Sequence, residues 1–262
     1  MRIGLFDSGI GGMTVLHQAL KFLPYEDYLF YADTKHVPYG EKSKEEVREY
    51  IIQAVEFIAK HNVKALVIAC NTATSIVIEE LRNLYSFPIL GIEPAVKPAI
   101  DNMAGRQKKV LVLATNLTLK EKKYHDLVQR IDSEDIVDSL ALPGLVQFAE
   151  NFEFNENRVI PYLEKELSSF DLQQYGTVVL GCTHFPYFEG ILRKVFPEEV
   201  DFISGSIGTA KNLQRILESK KLVNQGTGDI QYFKSGIEVK DSFSLSNYQK
   251  LFQILDGDYA GN

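Results

Sequence analysis

The chain has 262 residues, a formal net charge of −7 and two cysteines. Its hydrophobic fraction of 45% and charged fraction of 24% are typical of a globular protein with one or two domains. The acidic balance, without any cluster of Lys and Arg, argues against nucleic acid and against an anionic membrane surface as partners. Two cysteines are also too few for a disulfide scaffold or a four-cysteine zinc site.

The apolar stretches are short. Asp7 interrupts the apolar run that follows Arg2, which argues against a signal peptide. All other runs fall well below the ~18 residues that a membrane span requires. We therefore expect a cytoplasmic protein without membrane contact, in which both cysteines are free thiols.

Strands and helices are predicted to alternate along the first part of the chain. A short strand at 3–6 leads into a Gly-rich turn and a helix that starts near Met13. The clearest helical periodicity begins at Ser43, which forms a capping box with Glu46. A buried strand at 65–69, a helix at 72–84 and a strand at 89–91 follow. This alternation predicts βαβ units and parallel sheets.

A second set of the same kind follows Pro94 and Pro98, where we expect the chain to cross between two domains. The tail from Leu222 is more polar and predicts a hairpin before a last helix. The second set comprises predicted strands at 110–114, 136–140 and 177–181, and predicted helices at 118–131, 157–167 and 186–195.

One segment of the first set is echoed in the second. Residues 67–72 and 179–184 are both an apolar strand that ends in a cysteine and continues into polar residues and a helix. Two similar α/β halves that face each other would place Cys70 and Cys182 on opposite walls of one cleft. Each cysteine alone also fits a small buried hydrophobic residue.

A cysteine after a parallel strand lies where open α/β sheets bind ligands, beside the positive end of the following helix. This setting predicts a thiol pKa below the free value of about 8.5. Two facing thiols suit the inversion of a carbon that bears hydrogen, because one group removes a proton while the other delivers one to the opposite face. A single nucleophilic cysteine would serve a hydrolase, but it leaves the second cysteine without a role.

Polar residues near the predicted strand ends suit a small polar substrate. Hydroxyls, amides and backbone N–H groups can hold carboxylates without Lys or Arg, although helix capping is the alternative role. Asp7 either assists Cys70 or accepts hydrogen bonds from the backbone of the Gly turn. His184 is placed to relay a proton of Cys182. The Gly turn offers an anion cradle but lacks nucleotide-binding spacing, and no ligand pattern predicts a metal. The polar candidates are Ser8, Asn71, Thr72, Thr115, Thr118 and Thr183.

Five segments, in order, together resemble the bacterial glutamate racemases. The segments that carry the resemblance are 4–12 (GLFDSGIGG), 37–40 (VPYG), 69–73 (ACNTA), 114–124 with Ala114, Thr115, Thr118 and Tyr124, and 181–186 (GCTHFP). The Thr-His pair after the second cysteine is similar to glutamate racemases, whereas aspartate racemases typically carry Thr-Glu. Two departures from the family pattern are Glu121, where many members have Ser, and Ile203-Ser204-Gly205, where many have Asp-Ser-Gly.

The resemblance implies two similar doubly wound α/β domains with mostly parallel sheets and a cleft between them. Residues 1–95 plus 208–262 would form the first domain, and residues 96–207 the second. It also implies a cofactor-independent enzyme that interconverts L- and D-glutamate and supplies D-glutamate for peptidoglycan. A homodimer is favoured by the general frequency of such assemblies.

The resemblance further implies the roles of individual residues. Cys70 would take the α-proton of D-glutamate with help from Asp7, and Cys182 that of L-glutamate. His184 with Glu150 would assist Cys182. The substrate would be bound by Ser8, Pro38, Tyr39, Gly40, Asn71, Thr72, Thr115, Thr118 and Thr183.

Three other functions stay open. A hydrolase or decarboxylase that uses one cysteine would need only one thiol. A non-catalytic amino-acid-binding protein would bind glutamate without inverting it. A pyridoxal enzyme would require an added cofactor on a lysine.

Overall fold

The computed structural model describes residues 1–257 as two β-sheets covered by helices. The first sheet has the order β10-β9-β2-β1-β3-β4. Its strands are β1 (Arg2–Asp7), β2 (Tyr28–Ala32), β3 (Val63–Ile68), β4 (Ile89–Gly91), β9 (Ile230–Lys234) and β10 (Ile237–Glu238). All of its pairings are parallel except that of β9 with β10.

The second sheet is wholly parallel and has the order β6-β5-β7-β8. Its strands are β5 (Lys109–Ala114), β6 (Val137–Ala141), β7 (Tyr175–Leu180) and β8 (Asp201–Ser204). This order repeats that of β2-β1-β3-β4, and β1–β3 and β5–β7 also share a register shift at their first residues. The predicted class of two similar doubly wound α/β sheets is therefore confirmed.

Eleven helices connect and cover these strands within the described residues. They are α1 (Met13–Phe22), α2 (Lys44–Ala59), α3 (Asn71–Leu84), α4 (Val96–Met103), α5 (Asn116–Lys120), α6 (Lys122–Ile131), α7 (Pro143–Glu150), α8 (Glu156–Leu167), α9 (Glu189–Val195), α10 (Ser206–Ser219) and α11 (Ser242–Asp256). Because the central strands β1, β3, β5 and β7 are covered on both faces, their sequences are nearly continuous apolar runs.

Local sequence signals account for several of these elements. The predicted capping box is confirmed, since Ser43 caps α2 through the Glu46 amide and the Glu46 carboxylate accepts from the Ser43 amide. The predicted helix 118–131 is wrong in one respect. It is broken at Glu121, whose extended backbone separates α5 from α6. Pro98 lies inside the first turn of α4, and α4 packs against β5 and β7 of the second sheet. The chain therefore crosses between the sheets before that helix.

The predicted hairpin of the tail is confirmed, and it extends the first sheet through the β9–β2 pairing. Helix α10 packs against α1, so the chain has already returned to the first sheet before the hairpin. These contacts support our proposal that residues 1–95 and 208–262 form one domain and 96–207 the other. The last five residues of that division, 258–262, lie outside the described part of the chain.

The core is continuous between the two sheets. One cluster of buried apolar side chains includes Leu5 of β1, Leu113 of β5 and Leu213 of α10. Over residues 1–257, no helix combines the length and the apolar character needed to cross a membrane.

Candidate active site

The strand order places each cysteine at a predictable point. In a 2-1-3-4 order the connections leave in opposite directions from the first and third strands, which opens a crevice at their carboxyl ends. Asp7 ends β1 and Cys70 follows β3 at this point of the first sheet. Thr115 follows β5 and Cys182 follows β7 at the equivalent point of the second.

Both crevices open into one cavity of about 20 Å³. Its volume holds about one water molecule. It is lined by Ser8, Pro38, Tyr39, Gly40, Glu41, Cys70, Asn71, Thr72, Thr115, Asn116, Pro143, Val146, Cys182, Thr183 and His184. A larger cavity of about 1360 Å³ elsewhere contains neither cysteine. The chemistry of the lining therefore singles out the small cavity, which the structure builds from most of the predicted site residues.

Cys70 lies at the start of α3, where its sulfur accepts a hydrogen bond from the Ala73 amide at 3.5 Å. On its other side, the Ser8 hydroxyl lies 3.7 Å from the sulfur and donates to Asp7 Oδ1 at 3.0 Å. Burial, with the negative charge of Asp7, raises the pKa of the Cys70 thiol above its ordinary value. The predicted lowering of this pKa is therefore wrong, because burial outweighs the helix terminus.

Asp7 is fully buried and accepts three hydrogen bonds. Its Oδ1 accepts from the Ser8 hydroxyl and the Gly9 amide, and its Oδ2 accepts from the Thr183 hydroxyl at 2.8 Å. Burial raises the pKa of Asp7 to about 6, although the charge of His184 and these hydrogen bonds act in the opposite direction. Asp7 thus contacts Cys70 through Ser8 and also contacts the residue that follows Cys182.

Cys182 has a different neighbour. Its sulfur lies 3.6 Å from His184 Nδ1, and His184 Nε2 lies 2.6 Å from Glu150 Oε1. Burial lowers the pKa of His184, but its hydrogen bonds and charge interactions with Cys182 and Glu150 raise it well above the ordinary value. One thiol is therefore paired with a carboxylate through a hydroxyl, and the other with an imidazole that a carboxylate orients.

A cluster of three hydroxyls lies between the two sheets. Thr72 Oγ1 lies 3.0 Å from both Thr115 Oγ1 and Thr118 Oγ1, and Thr115 Oγ1 caps α5 by accepting from the Thr118 amide. The capping role therefore applies to Thr115. Asn71 Oδ1 is buried and has no hydrogen-bond partner among the described residues.

The predicted substrate loop reaches the cavity through Pro38, Tyr39 and Gly40. The Tyr39 ring is buried and its hydroxyl donates to Asp33 Oδ2 at 2.6 Å, so that hydroxyl is already engaged by the protein. A side chain at Gly40 would place its Cβ 2.7 Å from Thr115 Cβ. Glycine therefore allows the loop to lie directly against the second sheet's side of the cavity.

The Gly-rich turn does not present its amides as an anion cradle. The Gly9 amide donates to Asp7 Oδ1, and the Ile10 amide donates to Glu150 Oε1 at 2.8 Å. The prediction of an anion-binding turn is therefore wrong for these two amides, because carboxylates of the protein occupy them.

Four lining residues were not predicted, and two of them come from α7, a helix that sequence reasoning missed. These residues are Glu41, Asn116, Pro143 and Val146. Helix α7 has eight residues and no side-chain cap, so its only local signal is the proline at its start. Glu121, which departs from the family pattern, also lies beside the cavity, where its carboxylate binds Lys44 Nζ at 2.6 Å. Within residues 1–257, no group of three acidic, histidine or cysteine side chains is arranged to hold a metal.

The sequence is similar to those of known racemases. The sequence model of the family "Asp/Glu/Hydantoin racemase" matches residues 13–207. "Glutamate racemase 2" of Bacillus subtilis (strain 168) is 62% identical over 256 residues, which cover 98% of this chain and 97% of that protein.

Solved structures show the same fold. The crystal structure of glutamate racemase isoform RacE1 from Bacillus anthracis superimposes with a TM-score of 0.78 at 32% identity, covering 88% of this chain and 86% of that one. Escherichia coli glutamate racemase, solved in complex with L-glutamate and the activator UDP-MurNAc-ala, gives a TM-score of 0.78 at 27% identity, covering 91% and 99% of the two chains. From the match to the family model and the identity to curated relatives along nearly its whole length, this chain belongs to the Asp/Glu/Hydantoin racemase family, among its glutamate racemases.

Proposed function

We propose that this chain interconverts L- and D-glutamate, and that its two thiols exchange the α-proton without a cofactor. Its membership among the glutamate racemases supports the reaction. The observation that carries the mechanism is the placement of Cys70 and Cys182 at equivalent points of two sheets, facing the same cavity. A carbon held between two such groups can lose a proton on one face and gain one on the other.

The neighbours of the two thiols favour opposite protonation states. The raised pKa of Cys70 favours its thiol, which can donate a proton. The raised pKa of His184 favours an imidazolium, formed when Nδ1 takes the proton of Cys182 and leaves a thiolate. This arrangement has the protonation required for L-glutamate.

The proton transfers balance in both directions. The Cys182 thiolate takes the α-proton of L-glutamate and becomes a thiol, and the Cys70 thiol then delivers its proton to the opposite face and becomes a thiolate. D-glutamate reacts by the reverse sequence. The Asp7 carboxylate favours the neutral thiol of Cys70, and a cationic His184 favours a negative charge on the Cys182 sulfur.

Neutral donors are expected to hold the substrate, because the lining of the cavity includes no Lys or Arg among the described residues. The start of α3, at Asn71 and Thr72, offers backbone amides and a positive helix end for a carboxylate. The unpartnered Asn71 Oδ1 is available to accept a hydrogen bond from the α-ammonium group.

The cavity must open before glutamate can enter, since about 20 Å³ accommodates a water molecule but not an amino acid. Two pairs join its sides near the loop 38–41. Lys44 binds Glu121, and Gln147 Nε2 donates to Glu41 Oε1 at 3.2 Å. Both pairs are partly exposed and are worth little free energy, which suits contacts that break in each catalytic cycle.

The proposal is tested by incubating the purified protein with L-glutamate or L-aspartate in the absence of any cofactor, while optical rotation is followed. Decay of the rotation to zero with L-glutamate, and little change with L-aspartate, is the expected result. Constant rotation with L-glutamate, or activity that appears only after pyridoxal phosphate is added, would contradict the proposal. Cys182→Ala protein serves as the matched blank.

Three further parts of the proposal concern the cell. The product D-glutamate would supply peptidoglycan synthesis, the protein would act in the cytoplasm, and it would assemble as a homodimer. Labelling of the cell wall after depletion of the protein tests the first statement. Cell fractionation tests the second, and light scattering tests the third.

A further inference from the structure

The turn after β1 lies unusually close to the catalytic groups of the second sheet. A Cβ at Gly9 would come 1.8 Å from Glu150 Oε1, and a Cβ at Gly11 would come 2.5 Å from His184 Nδ1. Contacts this short do not occur, so any side chain at position 9 or 11 requires these groups to move. By contrast, a Cβ at Gly190 in α9 would meet nothing within 4 Å.

The close approach serves a specific hydrogen bond. Glu150 Oε1 accepts from the Ile10 amide at 2.8 Å, and the same oxygen lies 2.6 Å from His184 Nε2. Two donors that converge on one carboxylate oxygen fix its position, which in turn keeps the proton of His184 on Nε2. The other ring nitrogen, Nδ1, is then free to exchange a proton with Cys182, 3.6 Å away.

We propose that the backbone amide of Ile10 is a positioning group for proton transfer at Cys182, and that glycines at 9 and 11 are present to let it reach Glu150. Ile10 follows β1 of the first sheet, whereas Glu150 ends α7 and His184 follows β7 on the side of the second. The acid–base machinery of Cys182 is thus completed by the opposite half of the molecule. This inference rests on the proposed two-thiol racemisation.

The Ile10 amide acts on the proton transfer through Glu150 and His184. The Cys182 proton passes to His184 Nδ1, while Nε2–H stays directed at Glu150. If Glu150 turns away, Nε2–H loses its acceptor and the imidazolium loses a nearby negative charge. His184 then accepts the Cys182 proton less readily, whereas the hydrogen bonds of Cys70, with Ser8 and Ala73, do not involve Glu150.

The first test compares Gly9→Ala with Gly190→Ala. Gly9→Ala should fold, because the crowded atoms are the end of the Glu150 side chain, and it should lower kcat by about 10²-fold. Deuterium isotope effects on kcat/KM are then measured with α-deuterated L-glutamate and D-glutamate. Since only the step at Cys182 slows, the effect should rise for the L enantiomer and fall for the D enantiomer. Gly190→Ala should match the wild type.

If the isotope effects of Gly9→Ala change equally for L- and D-glutamate, relative to wild type, the inference is overturned. General damage to the fold would produce this result, because it does not distinguish the two thiols. A double variant, Gly9→Ala with Glu150→Ala, provides a second comparison in which the crowding is removed. It should fold and show the isotope effects of Glu150→Ala alone. If kcat of the double variant is lower than that of Glu150→Ala, the effect of a side chain at position 9 does not act through Glu150, and the inference is overturned.

The second test reads His184 without turnover. In ¹⁵N-histidine-labelled protein, with the signal assigned through His184→Gln, wild type and Gly190→Ala should show a protonated, hydrogen-bonded Nε2. Gly9→Ala should shift this signal, and an unchanged signal would overturn the inference. This spectrum is taken without substrate, so it does not depend on turnover. If the wild type fails to invert glutamate, the proposed function is contradicted, but the His184 signal still shows whether the Ile10 amide positions Glu150.

Discussion

Thr183 Oγ1 donates a hydrogen bond of 2.8 Å to Asp7 Oδ2, so the residue that follows Cys182 contacts the carboxylate that Ser8 links to Cys70. A second contact in the same place runs from the Ile10 amide to Glu150. Each half of the molecule therefore contributes a group to the surroundings of the thiol in the opposite half. In the proposed mechanism, these reciprocal contacts couple closure of the cavity to formation of the catalytic groups.

The buried carboxylate of Asp7 makes stability depend on pH. Its folded pKa of about 6 lies above its ordinary value of 3.8, so protonated Asp7 favours the fold. That contribution is complete below about pH 4 and is lost as pH rises through 6, a loss of about 3 kcal/mol. Relative to wild type, Asp7→Asn should therefore gain stability between pH 4 and 7, and the difference should be constant above that range.

Urea unfolding of wild type and Asp7→Asn from pH 4 to 8 measures this difference. The exposed Asp101→Asn variant serves as the control, and its difference from wild type should not follow the same curve. A pH-independent difference for Asp7→Asn would mean that the folded pKa of Asp7 is not raised.

Thr72 should contribute to substrate affinity. Thr72→Val preserves the shape of the side chain but removes the hydroxyl that joins Thr115 and Thr118. We expect KM for glutamate to rise about fivefold with little change in kcat, since one neutral hydrogen bond contributes about 1 kcal/mol. The matched control is Thr177→Val in β7, where the buried hydroxyl has no hydrogen-bond partner within residues 1–257 and does not line the cavity. An unchanged KM for Thr72→Val would remove this residue from the substrate site.

A buried ion pair outside the site should control stability. Lys64 Nζ of β3 lies 2.5 Å from Glu26 Oε2, and both side chains are 1% exposed. The same ammonium group donates to the Leu222 carbonyl, and Glu26 Oε1 accepts from the Asn224 amide. The pair thus ties the segment after α10 to the first sheet.

Lys64→Met should lower the free energy of unfolding by about 3–5 kcal/mol, because it leaves the Glu26 charge buried without a partner. Lys64→Met combined with Glu26→Gln should recover most of this loss, since the neutral amide still accepts from Asn224. Exposed Lys60→Met should change stability by less than about 0.5 kcal/mol. Urea denaturation tests all three, and equal losses in the single and double variants would contradict the explanation.

The local features of the fold could be predicted from the sequence, because their signals lie within single segments. The apolar runs that precede Cys70 and Cys182 and the Ser43 capping box are of this kind. Helix α7 and the strands β2 and β8 could not be predicted in the same way. Strand β8 has four residues and α7 lacks a capping side chain, so tertiary packing rather than local pattern determines both.

The assembly of the site depends on contacts between distant parts of the chain. Ile10 contacts Glu150 across 140 residues, and Thr183 contacts Asp7 across 176 residues. Neither pair has a local signature. The pKa of Cys70 shows the same limit, because the helix start is visible in the sequence whereas the burial that outweighs it arises only after folding.

The central claim, that two thiols share the reaction, is tested most directly by the polarimetric rate of L-glutamate racemisation in Cys70→Ala and in Cys182→Ala. Circular dichroism first establishes that both variants are folded. Removal of either proton-transfer group should lower the rate by about 10²-fold to 10⁴-fold, so each variant should be essentially inactive. Racemisation at the wild-type rate by either folded variant would contradict the two-thiol mechanism.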